Sequence, residues 1–279
     1  SYVGCKYAIA VNNATAALHL AATALDVNPG DKVIVTPLTF AASANCIRYR
    51  GGEVVFCDVE EDTYLMDIKK LSRLLSQSPK GTYKGIVLVD FAGYPANLEA
   101  FRQLADEYGL WIIEDACHAP GGYFIDSKGE KQLCGNGNFA DVSVFSFHPV
   151  KHIATGEGGM ATTNCKELYE KLCLYRTHGI TKNPALLHEN HGGWYYEMQE
   201  LGYNYRITDF QAALGISQLK RADMGLARRQ EIARRYREGL SDLKGVKLPF
   251  VSDQVFHAYH LFIIQVEDRL GLYLSLIHI

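Results

Sequence analysis

The sequence predicts an α/β fold with a mostly parallel central sheet and helices on both faces. The first observation is the order of the segments: in residues 7–113, apolar segments of strand length alternate with segments of helical periodicity. The second is residues 85–91 (GIVLVDF), whose apolar run is expected of a parallel strand covered on both faces. The third is composition, since 48% hydrophobic and 21% charged residues in a chain of 279 are typical of a globular protein with a sizeable core.

The individual elements follow from local patterns. The predicted strands are residues 7–11, 33–35, 53–59, 85–91 and 110–113, and the predicted helices are residues 16–25, 40–49, 67–76 and 98–108. The first helix is rich in Ala and Leu and stops before Asn28-Pro29-Gly30. The third carries apolar residues at helical spacing, and Gly109 is the expected C-cap of the fourth.

The pattern of residues 141–164 (DVSVFSFHPVKHIATGEGGMATTN) predicts a buried strand and then a loop that contains Lys151. A glycine-rich turn then leads into a second apolar segment. A lysine between two core segments suggests a role for its amine. A desolvated amine loses its proton more easily and becomes a nucleophile toward carbonyl groups. The alternative is an ordinary surface lysine in a turn.

The rest of the chain is less regular. Residues 166–175 predict a helix, and residues 177–205 lack periodicity over a length that usually indicates a functional segment or an interface. Residues 207–239 predict one long helix, apolar first and then basic, with the basic part forming a solvated face. Residues 244–248 and 259–266 predict further strands.

Composition excludes several function classes. A net charge of −3, from 28 basic and 31 acidic residues, gives no reason to expect nucleic acid or an anionic membrane as partner. We expect no membrane span, because no run of eighteen apolar residues occurs. The seven cysteines are scattered without metal-ligand spacing, so we expect no metal site and thiols kept reduced in the cytoplasm.

The strand ends carry residue types that suit pyridoxal 5′-phosphate (PLP). Ligands of doubly wound sheets bind beyond the carboxyl ends of the strands, where Lys151 and Asp115 are expected. The aldehyde of PLP needs an amine for a Schiff base, and its pyridine nitrogen needs a carboxylate to stay protonated. The phosphate needs a helix N-terminus and hydroxyls, here Ala14-Thr15 with Ser146, and the ring needs a flat apolar partner, here Phe40. For Ala14-Thr15, simple helix capping is the alternative.

Two motifs are similar to signatures of a known family. Residues 113–121 (IEDACHAPG) and 146–164 (SFHPVKHIATGEGGMATTN) resemble the DegT/DnrJ/EryC1/StrS family of PLP-dependent nucleotide-sugar aminotransferases. Residues 12–21 (NNATAALHLA), 36–45 (TPLTFAASAN) and 201–219 (LGYNYRITDFQAALGISQL) match further motifs. The resemblance covers residues 2–266 and implies the PLP-dependent transferase fold of the aspartate aminotransferase type, fold type I.

The resemblance also implies roles for single residues. Lys151 resembles the Schiff-base lysine that also shuttles a proton, and Asp115 the partner of the pyridinium nitrogen. Phe40 resembles the residue stacked on the ring, while Ser146 and the Ala14-Thr15 turn resemble phosphate ligands.

Two further roles implied by the resemblance concern His118 and Asn204. His118 resembles a residue beside the cofactor, with a packing histidine as the alternative. Asn204 resembles an asparagine that reaches the phosphate of the neighbouring subunit's cofactor, which implies a homodimer. The chain departs from the family pattern at Asn13, where Gly is common, and at Tyr94, where Gln is common.

The resemblance implies that the protein transfers an amino group from an amino acid to a keto-sugar nucleotide, with L-glutamate as the expected donor. The sequence around Lys151 most resembles that of enzymes that aminate C4 of a UDP-4-keto-6-deoxy sugar for surface glycan biosynthesis. Two alternatives stay open: a sugar dehydratase of the same family, and a sugar-binding or regulatory protein on the same fold. Lys151 argues against the dehydratase, which usually has His there, and retention of Asp115 with Lys151 argues against the binding protein.

The predicted domain organisation has three parts. Residues 1–235 are expected to form the large PLP-binding domain without its N-terminus, and residues 236–268 the beginning of a small C-terminal α/β domain. Residues 269–279 resemble a translated sequencing adapter, and the chain begins abruptly at Ser1. Both ends of the chain therefore look cut.

Overall fold

The computed structural model describes residues 2–189 and 191–277. The strands in these ranges are β1 Tyr7–Val11, β2 Lys32–Val35, β3 Glu53–Phe56, β4 Tyr83–Val89, β5 Trp111–Asp115, β6 Tyr123–Ile125, β7 Lys131–Leu133, β8 Val142–Ser146, β9 Gly159–Thr163, β10 Ile180–Thr181, β11 Glu197–Met198, β12 Val246–Lys247, β13 Val255–Phe256 and β14 Gln265–Val266. The helices are α1 Ala14–Ala24, α2 Ala42–Tyr49, α3 Ile68–Ser76, α4 Leu98–Tyr108, α5 Lys166–Arg176, α6 Asp209–Leu219, α7 Ala222–Leu240 and α8 Arg269–Ile277.

Seven strands form the central sheet, in the order β1-β9-β8-β5-β4-β2-β3. β3, β2, β4, β5 and β8 are parallel neighbours, and β9 runs antiparallel to both β8 and β1. β5 lies in the middle of the sheet, where Asp115 pairs with Val89 of β4 and with Val144 of β8. The predicted mostly parallel α/β sheet is therefore confirmed.

Side chains of each central strand alternate between two hydrophobic cores. Ile113 and Val87 belong to the core on the face covered by α1, α2 and α5, whereas Ile112 and Ile86 belong to the core under α3 and α4. All four side chains are fully buried. Burying one such side chain contributes about 1.5–3 kcal/mol, so both faces stabilise the sheet. The expected helices on both faces are confirmed.

The packing of helix α1 explains why its sequence has few polar residues. Every residue from Ala16 to Ala24 is buried, because the helix lies between α2, α5 and the sheet. A helix surrounded by protein is apolar all round rather than amphipathic. Its small alanines also allow close approach to the neighbouring elements, which brings the N-terminus of α1 to the carboxyl edge of the sheet.

The C-terminal third differs from expectation in two respects. The single helix predicted for residues 207–239 is interrupted between Leu219 and Ala222, so α6 and α7 are separate helices. No Gly or Pro occurs at residues 220–221 to indicate the interruption from sequence. The strand predicted for residues 259–266 is also wrong in extent, since only Gln265–Val266 pairs, with β12. The predicted domain boundary at residues 235–236 falls inside α7.

The basic residues of α7 have two different roles. Arg234 pairs with Glu238 at 2.6 Å, and Arg235 with Glu231 at 2.7 Å, on the solvated face that was predicted. Arg229 instead is half-buried and donates to the carbonyl oxygen of Tyr259 at 3.0 Å. The prediction of a solvated face is thus wrong for Arg229, which holds the segment after β13 against α7.

Among the described helices, none has the length and apolar character needed to cross a membrane. The predicted tail forms α8 over residues 269–277, and residues 278–279 lie outside the described residues.

Candidate active site

The loops at the carboxyl edge of the sheet enclose a cavity of about 740 Å³. This volume is within the roughly 300–1,000 Å³ that is usual for small-molecule and cofactor sites. All the predicted site residues except Asn204 line it: Ala14, Thr15, Phe40, Asp115, His118, Ser146 and Lys151. They come from four strand ends or loops, so the parallel topology has brought together residues up to 137 positions apart (151 − 14).

Asp115 is the last residue of β5 and is almost fully buried, with 5% of its surface exposed. Its side chain lies on the same face of the strand as that of Ile113, toward α1 and α2. The hydroxyl of Ser43 donates to Oδ2 at 2.6 Å, and the backbone N–H of Cys117 donates to Oδ1 at 3.2 Å. Both oxygens of this carboxylate therefore have a defined donor, in a buried place at the wall of the cavity.

Lys151 lies on a tightly closed loop between β8 and β9. The base of the loop is held by hydrogen bonds from the N–H of Phe147 to the carbonyl of Gly158 and from the N–H of Thr155 to the carbonyl of Phe147. Lys151 itself is half-buried, and burial lowers the pKa of its amine, with partial compensation from Cys117 and Asp115. A lysine amine with a lowered pKa is more often unprotonated and so is a better nucleophile.

The N-terminus of α1 forms a second wall. Asn13 caps the helix, since its side chain accepts a hydrogen bond from the N–H of Ala16 at 2.8 Å. Capping therefore occurs, but within the described residues no hydrogen bond engages the N–H groups of Ala14 or Thr15. These two N–H groups and the positive end of the helix dipole suit an anion such as a phosphate.

Gly159, the first residue of β9, allows this wall to form. A Cβ atom on Gly159 would lie 2.6 Å from the carbonyl carbon of Asn13 and 2.7 Å from the N atom of Ala14. Both contacts are with backbone atoms, which cannot turn away as a side chain can. Only glycine at this position lets the turn before α1 approach the sheet so closely.

Phe40 and three other aromatic residues surround the mouth of the cavity. Phe40 is 73% exposed, so one face of its ring is available to a ligand. His19 of α1 lies opposite, where its Nδ1 is 3.1 Å from the hydroxyl of Tyr205. Tyr49 and Tyr205 also line the cavity. The arrangement provides flat apolar surfaces for a planar ring.

Three histidines, His118, His152 and His260, lie together near Lys151. The rings of His118 and His260 are stacked at 4.3 Å, and those of His152 and His260 are 5.7 Å apart. Burial, aided by the nearby charge of Lys151, lowers the pKa of His118 to about 3. Burial also lowers the pKa of His152 to about 3 and that of His260 to about 4. At neutral pH His118 therefore presents an uncharged imidazole to the cavity.

Asn204 is the one predicted site residue outside the cavity. It is exposed and lies in an isolated bridge with Thr177, while its neighbour Tyr205 lines the cavity. Of the two departures from the family pattern, Asn13 lines the cavity and Tyr94 does not. Tyr94 is buried instead, and its hydroxyl accepts a hydrogen bond from the N–H of Ser252.

Sequence reasoning missed several residues of the site. Ser43 was not singled out, although it lies three residues after Phe40 in the TPLTFAASAN motif and is the polar residue of a buried helix face. Cys117, His19, Tyr49 and Tyr205 line the cavity without having been predicted. The position of Ser43 on the same helix face as Cys46 and Ile47 is visible in the sequence, but its contact with Asp115 is not.

On the opposite face of β5, Glu114 lies with Asp90 and Cys134 in a fully buried group. The possible ligand atoms of these three residues are all within 4.8 Å of one another. Burial raises the pKa of Asp90 well above its usual value, and the Glu114 charge raises it further. Burial likewise raises the pKa of Glu114. A proton shared between the two carboxyl groups removes one of their two negative charges, and none of the three residues lines the cavity.

The residues of the cavity fit PLP. They include a half-buried amine, a buried carboxylate, an exposed aromatic face and two uncommitted N–H groups at a helix N-terminus. These are the groups that bind an aldehyde, a basic ring nitrogen, a planar ring and a phosphate, respectively. Ser146, buried at the end of β8, adds a hydroxyl to the phosphate-binding groups.

Comparisons with known proteins agree with this arrangement. The sequence profile of the DegT/DnrJ/EryC1/StrS aminotransferase family matches residues 1–276. The spore coat polysaccharide biosynthesis protein SpsC of Bacillus subtilis (strain 168) is 39% identical over 269 residues, which are 96% of this chain and 66% of SpsC. A UDP-4-amino-4,6-dideoxy-N-acetyl-beta-L-altrosamine transaminase of Campylobacter jejuni is 43% identical over 236 residues, which are 84% of this chain and 58% of that protein.

Solved structures give the same result for the fold. A DegT DnrJ EryC1 StrS aminotransferase from Brucella abortus superposes with a TM-score of 0.87 at 32% identity, covering 99% of this chain and 70% of that one. This chain spans about two thirds or less of the length of the two curated relatives described above.

Proposed function

We propose, because this chain belongs to the DegT/DnrJ/EryC1/StrS aminotransferase family, that its protein is a PLP-dependent aminotransferase acting on a sugar nucleotide. One observation carries the proposal: Lys151 and Asp115 line a single cavity together with the N-terminus of α1. Aminotransferases of this family depend on PLP. A protein that only bound sugars would have no need of a half-buried amine beside a buried carboxylate.

Each predicted residue of the cavity has its own proposed role toward the cofactor. PLP supplies an aldehyde that bonds to amines and a ring that accepts the electron pair released at the substrate carbon. The Nζ atom of Lys151 would hold the aldehyde and would carry a proton to and from the substrate carbon. The Asp115 carboxylate would keep a proton on the ring nitrogen. Ala14, Thr15 and Ser146 would bind the phosphate, Phe40 would contact the ring, and the uncharged His118 would line the same cavity.

The proposed substrates are L-glutamate, as amino donor, and a UDP-linked 4-keto-6-deoxy sugar that is aminated at C4. The support is the C. jejuni relative, whose name describes a UDP-linked 4-amino-4,6-dideoxy sugar, and SpsC, whose name describes polysaccharide biosynthesis. The product would serve surface glycan biosynthesis. We place the reaction in the cytoplasm, where scattered thiols such as buried Cys46 and Cys117 stay reduced.

A homodimer is proposed as the active unit. No residue of α6 is buried, and the helix exposes apolar side chains such as Phe210, which is 91% exposed, and Ile216, which is 61% exposed. Large apolar side chains exposed together mark an interaction surface. A second copy of the chain would cover them and would bring its Asn204, exposed here, toward the phosphate end of the neighbouring cavity.

Asn204→Ala should weaken PLP binding by about tenfold, the order expected when one hydrogen bond to a charged group is lost. PLP affinity is measured by fluorescence titration at fixed protein concentration, and the dimer fraction by analytical ultracentrifugation. Asn28→Ala, an equally exposed asparagine that bonds only within its own turn, is the matched control. Unchanged PLP affinity in a fully dimeric Asn204→Ala protein would remove the proposed phosphate role.

The decisive test of function uses the purified protein, PLP, L-glutamate and a panel of UDP- and GDP-linked 4-keto and 3-keto sugars. Mass spectrometry should detect an amino sugar and 2-oxoglutarate in equal amounts, with the UDP-linked 4-keto-6-deoxy sugar giving the highest kcat/KM. Loss of water from a sugar without amino transfer would identify the dehydratase instead. Binding of the sugar nucleotides without any turnover would identify the binding protein.

A further inference from the structure

Ser43 forms a hydrogen bond with Asp115 but has no role in the proposed function. It is the second residue of α2 and is fully buried, with 0% of its surface exposed. Its hydroxyl donates to Oδ2 of Asp115 at 2.6 Å, although the two residues are 72 positions apart in the chain. A hydroxyl-to-carboxylate bond of this length is among the strong hydrogen bonds of proteins.

The hydroxyl of Ser43 is itself oriented. Its oxygen lies 2.8 Å from the hydroxyl oxygen of Thr39. Because the one proton of Ser43 is donated to Asp115, Thr39 must donate to Ser43 in this pair. Thr39 lines the cavity, so a chain of two hydroxyls runs from the cavity wall to the buried side of the carboxylate. Successive hydrogen bonds polarise one another, which strengthens the bond to Asp115.

The second oxygen of Asp115 is held from the other side by the N–H of Cys117 at 3.2 Å. With a donor on each oxygen, the carboxylate plane cannot rotate without breaking one of two buried hydrogen bonds. Placement in the first turn of α2 adds the positive end of a helix dipole beside the negative charge. The carboxylate is thus oriented by α2 and not only by its own strand.

We infer that Ser43 is a positioning residue, whose hydroxyl, itself aligned by Thr39, orients the Asp115 carboxylate toward the ring nitrogen of the cofactor. The inference rests on the proposed function, because it assigns Asp115 to that nitrogen. A purely structural alternative is that Ser43 only satisfies a buried carboxylate. The two differ in outcome, since a structural role affects stability alone, whereas a positioning role affects cofactor binding and lowers kcat with little change in KM.

The test compares Ser43→Ala, Ser43→Thr and Ser43→Cys in the protein reconstituted with PLP. Ser43→Ala should weaken PLP binding by about tenfold and lower kcat by about tenfold to a hundredfold, with little change in the KM for the amino donor. Ser43→Thr keeps the hydroxyl and should restore both quantities to within a few-fold. Ser43→Cys keeps the size with a weaker donor, and an intermediate result is expected for it.

Thr163→Val is the matched control, because Thr163 is also fully buried and its hydroxyl donates at 2.7 Å, but to the carbonyl of Asp141 outside the cavity. It should lower the thermal midpoint without changing PLP affinity or kcat. If Ser43→Ala behaves like this control, Ser43 is only structural and the inference is wrong. If Ser43→Ala does not fold, the same comparison with Thr163→Val is made with Ser43→Cys, and control-like behaviour of Ser43→Cys would likewise show that the inference is wrong. If the wild type never binds PLP through a lysine, the proposed function itself fails, and that result is visible before any Ser43 variant is made.

Discussion

Lys151→Ala should abolish covalent binding of PLP and lower amino transfer by at least about a thousandfold, since it removes the group that acts as nucleophile and as proton carrier. The absorption band of lysine-bound PLP should be absent from the variant. PLP should still bind without a covalent bond, because the N-terminus of α1 and Ser146 are intact. Absorption spectra, PLP titrations and single-turnover rates with glutamate measure the three effects separately.

The control for this prediction is Lys128→Ala, which removes an exposed lysine from the turn between β6 and β7. It should leave the absorption band and the rate unchanged. Because burial lowers the pKa of Lys151, its amine is unprotonated at lower pH than that of a surface lysine. The PLP-free protein should therefore form the band at a lower pH than a surface lysine would require, and more slowly as the pH falls. A Lys151→Ala protein that keeps the wild-type band would mean that another amine binds PLP.

Asp115→Asn should lower kcat by about a thousandfold, the order observed when one group that stabilises developing charge is removed. The amide has the same shape and its oxygen can still accept the hydrogen bond from Ser43. It carries no charge, however, and so it cannot keep a proton on the ring nitrogen. The change should thus affect kcat much more than the affinity for PLP, which depends also on the phosphate and the lysine.

Asp141→Asn provides the comparison for Asp115→Asn. Asp141 is a half-buried carboxylate at the start of β8 that accepts hydrogen bonds from Arg102 and from the N–H of Ile112, away from the cavity. Its loss should reduce the free energy of unfolding and leave kcat within a few-fold of wild type. Should Asp115→Asn retain wild-type kcat, the ring nitrogen has a different partner and the proposed role of Asp115 is wrong.

Local patterns predicted the first two thirds of the fold well. β1 and α4 have the bounds that were predicted for residues 7–11 and 98–108, and Gly109 ends α4 in the left-handed conformation expected of a C-cap. The alternation of apolar side chains and the capping residues are properties of a few consecutive positions, so they can be recognised without tertiary information. The continuously apolar β4 likewise indicated a strand with both faces covered.

Patterns were less informative after residue 200. The interruption between α6 and α7 carries no Gly or Pro, and the short strands β12, β13 and β14 have two residues each, too few for any periodicity. Earlier in the chain, the β6–β7 hairpin at residues 123–133 was also not predicted, because its strands have only three residues each. The conformation of these segments depends on contacts with distant residues, such as the bond from Arg229 to the carbonyl of Tyr259.

The sequence by itself determined the fold class, the family and seven of the residues that line the cavity, because the strand ends and the Lys151 and Asp115 motifs are local features. Only the tertiary structure decided which groups hold Asp115. Ser43 and Asp115 lie 72 positions apart, and their contact follows from how α2 packs against the sheet, which no short pattern encodes. The structure also separated Asn204 from the cavity that its neighbour Tyr205 lines, since the two side chains of adjacent extended residues point in opposite directions.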